Sequence, residues 1–416
     1  MTARLLSCAA VLSACVAGWA LTGDQTTNVP RFLATFAVAF AAYLAALHFS
    51  RGIGRRGLRL ALAAALGWRV ALVLAPPLAS DDIYRYVWEG RIQLHGGNPY
   101  AWEDRPEGTR WTPLRDAVWS GVSHKDYSAL YPPAWQMAAR AVVWARDSVT
   151  AMKAFLVACE IAALGLLAWI LRRRGLPAER ILVLAWSPLA LVEIAGSGHN
   201  DAFAILLTVA ALAALETGRG ALAAVAGAVA FDAKILPGFI VAAWARRFRW
   251  WHAAVAAAVA AALFVPYAGA GSGLWHSATR YARYWRFNES LFAALRGVLG
   301  DESALAASTV LLAAAVAMPA VAQNQEMEEV VVTARKRDES FQDVPVTINV
   351  FTEATIRGAG IEKPGDFIAL VPNMTLVETQ NAGNAFVVVR GISQARNSEP
   401  SVAVLVDGVL ETNPAE

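Results

Sequence analysis

Eight apolar stretches, near residues 5 to 22, 32 to 49, 58 to 79, 150 to 171, 180 to 196, 201 to 217, 220 to 246 and 252 to 268, dominate the first two thirds of this 416-residue chain. Most are long enough to cross a hydrocarbon layer roughly 30 Å thick as helices. Backbone polar groups find no water there, and a helix is the element that bonds all of its own. The expected fold class is mostly α: a polytopic transmembrane helical bundle, joined at its end to a part of different character. Residues 323 to 416 hold 14 acids, 7 bases and no tryptophan, whereas the earlier part holds 19 acids, 29 bases and all fifteen tryptophans. A basic, Trp-rich part and an acidic, Trp-free part belong to different solvents, the first lipid and the second water. The three cysteines, Cys8, Cys15 and Cys159, lie inside apolar stretches, with neither a disulfide framework nor metal-ligand spacing.

Basic loops set the orientation. Arg51, Arg55, Arg56 and Arg59, then Arg172, Arg173, Arg174 and Arg180, then Arg219, then Arg246, Arg247 and Arg249 are expected on the cytoplasmic side. Residues 80 to 148, the turn 196 to 201 and residues 269 to 302 then face outward. Residues 131 to 144, YPPAWQMAARAVVW, read as an interfacial or re-entrant helix, because a full crossing there would invert the triple arginine. Residues 220 to 246 read as two short helices meeting at FDAKILPG and broken by Pro237, which keeps Arg219 and Arg246 on one side. Three polar clusters consequently meet at the outer face: Asp81 with Asp82, the His199-Asn200-Asp201 turn, and Asp232 with Lys234.

Each cluster has a plain reading beside a chemical one. Asp81 and Asp82 suit a helix N-terminus, but a carboxylate beside aromatic rings in a partly desolvated pocket also serves as a general base. Asn200 and Asp201 suit a helix cap; Lys234 suits either an ion pair with Asp232 or a phosphate contact. Arg69, Glu160 and Glu193 fall within apolar stretches, where charge must face the bundle interior or snorkel, and Arg69 and Glu193 are the better site candidates of the three.

The motifs SDDIYRYVWEGRIQLHGGNPY, LRDAVW with ALYPPAWQ, GHNDAFAILL, AKILPG and YWRFNESLF, in that order and spacing, make residues 80 to about 295 resemble the C-type superfamily of integral-membrane glycosyltransferases. The branch they resemble in particular is the polyprenyl-phosphate-sugar-dependent, mannosyltransferase-like one of bacteria. The resemblance implies that the acid before the Ile-Tyr pair, Asp82, activates an acceptor hydroxyl, with Asp81 as its neighbour. The sugar, mannose-like, leaves a lipid phosphate, and the acceptor is an external glycan or lipid. Neither cofactor, metal nor nucleic acid is expected, and no dinucleotide or P-loop glycine motif occurs. By their chemistry, Arg85, Arg91, His199, Asp201 and Lys234 are the expected phosphate and sugar contacts. Relatives continue with further membrane helices after the FNESLF-like motif, so an inactive transferase is one expectation.

From Ser303 the chain reads SALAASTVLLAAAVAMPAVAQNQ, which is either a last membrane helix or a signal-peptide core ending in the small-residue triplet Ala320-Val321-Ala322. The segments beyond it, EEVVVTARKR, DVPVTINVFT, GIEKPGDFIALVPNMTL, FVVVRGISQ and SVAVLVDGV, resemble the mature start of a TonB-dependent outer-membrane receptor. The resemblance implies a TonB box at Glu329, Val330, Val331, Val332 and Thr333 and a small, incomplete α+β plug-like domain. Strands are expected at residues 344 to 351, 385 to 390 and 402 to 406, with a short helix around 363 to 370 and an Asp-Gly turn at 407 and 408. The expected organisation is a transferase-like module over 1 to 302, a signal-peptide-like or transmembrane segment over 303 to 322, and the plug-like part over 323 to 416. A multi-pass protein of the bacterial cytoplasmic membrane is the first expectation, with TonB a partner only if the second module reaches the periplasm. The alternatives are a receptor plug fragment for outer-membrane uptake, and a chimera without function.

Overall fold

The computed structural model describes residues 3–235, 237, 244, 247–284 and 290–300, and beyond them 303, 307, 331–332, 339–340, 356, 363, 366, 368, 370–371, 374–378, 385–389, 405–406 and 409–410. It forms two units, Met1–Ala322 and Gln323–Glu416, divided where the composition changes. In chain order the first carries α1 (Ala3–Thr22), α2 (Val29–Phe49), α3 (Gly54–Leu74), α4 (Asp82–Leu94), α5 (Ala117–Gly121), α6 (Pro133–Ala145), α7 (Val149–Arg173), α8 (Leu182–Ala185), α9 (Pro188–Ala190), α10 (Asp201–Glu216), α11 (Gly220–Ala233), α12 (Trp250–Phe264), α13 (Gly273–Tyr284) and α14 (Ser290–Leu299). Helices α1, α2, α3 and α7, and α12 with its 3-10 extension to Ala270, are long and apolar enough to cross a membrane.

Side-chain contacts sort the loops into two ends. At one end the Gly52 amide donates to Glu179 Oε1 at 2.9 Å, Glu216 pairs with both Arg174 and Arg247, and Arg4 covers the Phe49 ring. This end collects the arginine-rich loops, as the charge bias requires. At the other, the Gln25 amide meets the Leu78 carbonyl at 2.6 Å, Asn98 Nδ2 donates to the Tyr267 carbonyl at 3.1 Å, and the polar clusters at 81–82, 193–201 and 234 come together.

Helices that stop inside a membrane must dispose of their free carbonyls. α3 stops because Pro76 has no N–H to give the Leu72 carbonyl. Lys153 of α7, buried, donates there instead, at 2.5 Å to Leu72 and 2.7 Å to Ala75. Arg69 of α3 forms a two-pronged pair with Glu160 of α7, at 2.8 and 2.5 Å, and donates at 2.8 Å to the carbonyl of Ala185, the last residue of α8. Both partners are 1% exposed. Arg69 and Glu160 therefore hold the bundle together, and Arg69 is not at the polar end where its chemistry would place it in a site.

The stretch 180 to 196, expected as one crossing helix, is instead a 3-10 turn (Ala178–Ile181), α8, α9 and a π-helix (Leu191–Gly196). Pro188 supplies the break. The segment climbs beside α3, with the Trp186 indole donating to the Ala61 carbonyl at 2.9 Å. Past the π-helix the chain turns by 117° into α10. The 13-residue α6 is too short to cross as a single helix and packs on α4. α11 ends at Ala233 with Lys234 extended, as the two-short-helix reading of 220 to 246 requires; most of the second half lies outside the described residues.

In the second unit three antiparallel pairs are described: β1 (Val331–Val332) with β2 (Glu339–Ser340), β3 (Met374–Glu378) with β4 (Ala385–Val389), and β5 (Leu405–Val406) with β6 (Val409–Leu410). β4 and β5 fall on expected strands. β3, paired in register from Met374 opposite Val389 to Glu378 opposite Ala385, adds a strand to the expected set. Of the TonB-box residues, Val331 and Val332 lie in β1, while Glu329, Val330 and Thr333 lie outside the described residues. So do the expected strand 344 to 351, the Ala320-Val321-Ala322 triplet and the turn at 407 and 408.

Removing one half of the buried ion pair leaves the other charge unpaired in an apolar interior, at a cost of about 3–5 kcal/mol. Thermal unfolding of the detergent-solubilised protein is expected to show a lowered midpoint for Arg69→Leu and partial recovery in Arg69→Leu/Glu160→Leu, which removes the unpaired charge but still leaves the Ala185 carbonyl without its donor. A double variant as unstable as the single one would contradict this account.

Candidate active site

The outer polar cluster is built where spanning helices stop. Asp82 occupies the first turn of α4, and its Oδ2 accepts the Tyr131 hydroxyl at 2.8 Å. Burial, then the charge of Asp82, pushes the Tyr131 hydroxyl well above the ordinary tyrosine range, so it remains a donor. Tyr131 stands edge-on to Tyr86 at 5.2 Å, and Tyr86 to Trp135 at 4.8 Å, which gives the carboxylate a buried aromatic floor. Asp81 makes no side-chain cap for α4; its Oδ1 accepts from Ser123 at 3.2 Å. The capping role open to the acidic pair is thus not what fixes it.

The second wall comes from the π-helix. Its wider turns bond Ser197 N to the Val192 carbonyl at 2.7 Å, and the following turn bonds His199 N to the Glu193 carbonyl at 2.9 Å. This folds Glu193 back on the histidine, whose Nδ1 lies 2.5 Å from Glu193 Oε2 and whose Nε2 lies 3.9 Å from Asp82 Oδ2. Extra-wide helical turns of this kind recur at functional sites because they redirect side chains. Gly198 allows the turn: its φ is +81°, and an added Cβ would stand 2.2 Å from Ile83 Cδ1. Burial lowers the pKa of His199, but the hydrogen bond and charge of Glu193 and the charges of Asp82 and Asp201 outweigh it, so the net shift is upward.

The third wall is Lys234, whose Nζ donates to Asp201 Oδ2 at 2.6 Å. Of the two readings open for Lys234, the ion pair with Asp232 is therefore replaced by one with Asp201. Lys234 is extended beyond the end of α11 and reaches α10, whereas Asp232 is still helical and turned inward. Asp232 is 1% exposed, and among the described residues neither of its carboxylate oxygens has a hydrogen-bond partner, nor has Oδ1 of buried Asn200. Asn200 does not cap α10 with its side chain either.

Asp82, Asp81, His199, Asp201 and Lys234 are thus gathered at one end of the bundle, joined by Glu193 and Tyr131. Arg85 and Arg91 are not turned to that cluster. Arg85 donates to the carbonyls of Ser123, His124 and Tyr127 and to Glu89, pinning the loop over α4. Arg91 grips Asp147 with two nitrogens and pairs with Asp116 at 3.0 Å, while Asp116 caps α5. Sequence reasoning did not single out Glu89, which takes Gln136 Nε2 at 2.6 Å beneath the cluster and whose carboxyl burial pushes up against the opposing pull of Arg85 and Gln136. Nor did it single out Tyr131. The Tyr-Pro-Pro corner of ALYPPAWQ was the available signal, since it aims that ring before α6 begins. Among the described residues no group of three or more His, Cys, Asp or Glu side chains is arranged to hold a metal ion.

A family model described as alpha-(1->6)-mannopyranosyltransferase, N-terminal domain, matches residues 4–268. The chain belongs to this family. Every element of the outer cluster lies within the matched range. Alpha-(1->6)-mannopyranosyltransferase A of Mycobacterium tuberculosis (strain ATCC 25618 / H37Rv) is 32% identical over 196 residues, which is 44% of this chain and 36% of that protein. The chain thus matches little more than a third of that relative's length. A second model, the TonB-dependent receptor plug domain, matches residues 340–415, so the chain joins two unrelated modules. No solved structure matches the chain.

The His199 shift has a sign that stability reports. A histidine whose folded pKa is raised stabilises fully below its unfolded value of about 6.5 and loses that contribution as pH rises through the folded value. The difference in thermal midpoint between the protein and Glu193→Gln is expected to be largest below about pH 6.5 and to close at higher pH. A difference that does not vary with pH would contradict the Glu193–His199 pairing.

Proposed function

We propose that the first module is a membrane glycosyltransferase that moves a hexose, mannose-like, from a polyprenyl-phosphate donor to an external glycan or lipid acceptor. The observation that carries this reading is the contact of Asp82 with Tyr131 on one side and His199 on the other, inside the region matched by the mannopyranosyltransferase family. Asp82 accepts the proton of the acceptor hydroxyl. The acceptor oxygen then bonds to the anomeric carbon, the bond from that carbon to the donor oxygen breaks, and its electron pair stays on the departing lipid phosphate. Carboxylates of Asp81, Glu193 and Asp201 face the positive charge that grows on the sugar ring, and Lys234 with His199 faces the phosphate. Tyr131 and Glu193 are positioning residues: one holds the base, the other the imidazole. Arg85 and Arg91 shape the loop over α4 on this reading. Asp232 and Asn200 lie next in the chain to Ala233 and Asp201. We place the module in the bacterial cytoplasmic membrane with this cluster outward, on the strength of the arginine-rich opposite end.

The plug-domain match supports a second reading for residues 340–415, a receptor-derived module that engages TonB if it reaches the periplasm. It bears on the transferase only through the shared chain.

Asp82→Asn is expected to abolish sugar transfer from a polyprenyl-phosphate donor in membranes while the protein still accumulates; transfer at the unaltered rate would sink the proposal. Tyr131→Phe keeps the ring and removes a hydrogen bond to a charged group, worth about 1.5–3 kcal/mol. Its kcat is expected to fall by about tenfold to a hundredfold, with KM for the donor little changed. An effect confined to KM would remove Tyr131 from its positioning role.

A further inference from the structure

The arginine-rich end of the bundle holds a built cavity that the transfer chemistry does not use. It measures about 850 Å³ and is lined by Leu215, Arg219, Leu222, Arg247, Arg249 and Trp251, among others. Its charge is unbalanced. Glu216, the nearby acid, is shared by Arg174 and Arg247, and among the described residues Arg219 and Arg249 have no acidic partner.

Both of these arginines also sit where cations are least welcome. Arg219 is the residue before α11 and Arg249 the residue before α12, and neither helix has an acid in its first turn. The positive end of each helix dipole therefore adds to the guanidinium charge, and α11 has no side-chain cap for its free N–H groups. An anion in the cavity would satisfy the free amides and neutralise the arginines together.

The walls say which kind of anion. Trp250 is 84% exposed and Trp251 is exposed beside it at the mouth, as expected of side chains at a membrane–water boundary. One turn further along α11 the lining becomes apolar, with Leu222 52% exposed. A site that runs from arginine to exposed leucine within one helical turn, at the level of interfacial tryptophans, fits a molecule with a phosphate head and a hydrocarbon tail. We infer that this cavity binds the headgroup phosphate of an anionic phospholipid, with Arg219 and Arg249 as its principal ligands and Leu222 against its acyl chain.

The test uses the full chain in detergent, with thermal unfolding and native mass spectrometry as readouts and phosphatidylglycerol as the probe. Phosphatidylglycerol is expected to raise the unfolding midpoint and to stay bound in the gas phase, whereas phosphatidylcholine and soluble glycerol phosphate do neither. In Arg219→Gln/Arg249→Gln the concentration of phosphatidylglycerol needed for half the effect should rise about tenfold or more. Arg51→Gln/Arg55→Gln, at the same end but outside the cavity, should leave it unchanged. Equal protection by glycerol phosphate would overturn the lipid in favour of a free anion. An equal loss in both double variants would overturn the cavity in favour of diffuse surface charge. Should Arg219→Gln/Arg249→Gln fail to fold, Leu222→Gln supplies the reading: it should weaken phosphatidylglycerol binding, and unchanged binding would count against the site.

Discussion

Free carbonyls inside hydrocarbon are the constraint on which this bundle depends. Each broken helix that brings a polar residue to the outer face leaves acceptors without amides, and no water is present to take their place. Lys153 and Arg69 answer this by donating into the ends of α3 and α8. Arg69 then needs Glu160 to balance its charge, and the pair ties α3 to α7. With those ends satisfied, the irregular climb through α8, α9 and the π-helix can be held beside α3, and His199 is delivered to Asp82.

The same logic explains the division of labour among the charged groups. Arg69, Glu160 and Lys153, deep in the bundle, close on each other or on carbonyls and are spent on architecture. The side chains of Asp82, Glu193, His199, Asp201 and Lys234 at the outer end remain between 23% and 38% exposed. They are paired tightly enough to be oriented and openly enough to meet a substrate. The two arginines of α4 belong to the first kind although they lie in the most distinctive motif, because their guanidiniums face loop carbonyls and carboxylates that must be satisfied first.

Much of this was legible in the sequence, for physical reasons. Apolar stretches of membrane length announce themselves, arginine clusters choose the side, and an acid beyond a Pro-Pro helix stop marks the outer boundary. That logic brings Asp82, His199 and Lys234 to one face from the sequence alone. What it could not supply was the partner of each. Lys234 and Asp232 are two apart in sequence and look like a pair, yet the helix ends between them and sends them in different directions. Glu193 was visible only as a charge in an apolar stretch; its bond to His199 depends on a π-helix, and local spacing does not reveal one. Lys153 went unnoticed because its role is to fill a vacancy created by Pro76, 77 positions earlier in the chain.

The central claim is that the 117° turn after the π-helix carries His199 across to Asp82. The most direct test is crosslinking of Asp82→Cys/His199→Cys in membranes with a short bifunctional thiol reagent, after Cys8, Cys15 and Cys159 have been replaced by alanine; tips 3.9 Å apart on two long side chains call for a spacer rather than a direct disulfide. Rapid crosslinking of this pair is expected, and none when His199→Cys is instead combined with Arg219→Cys at the opposite end. Failure of the first pair to crosslink, or equal crosslinking of both, would contradict it.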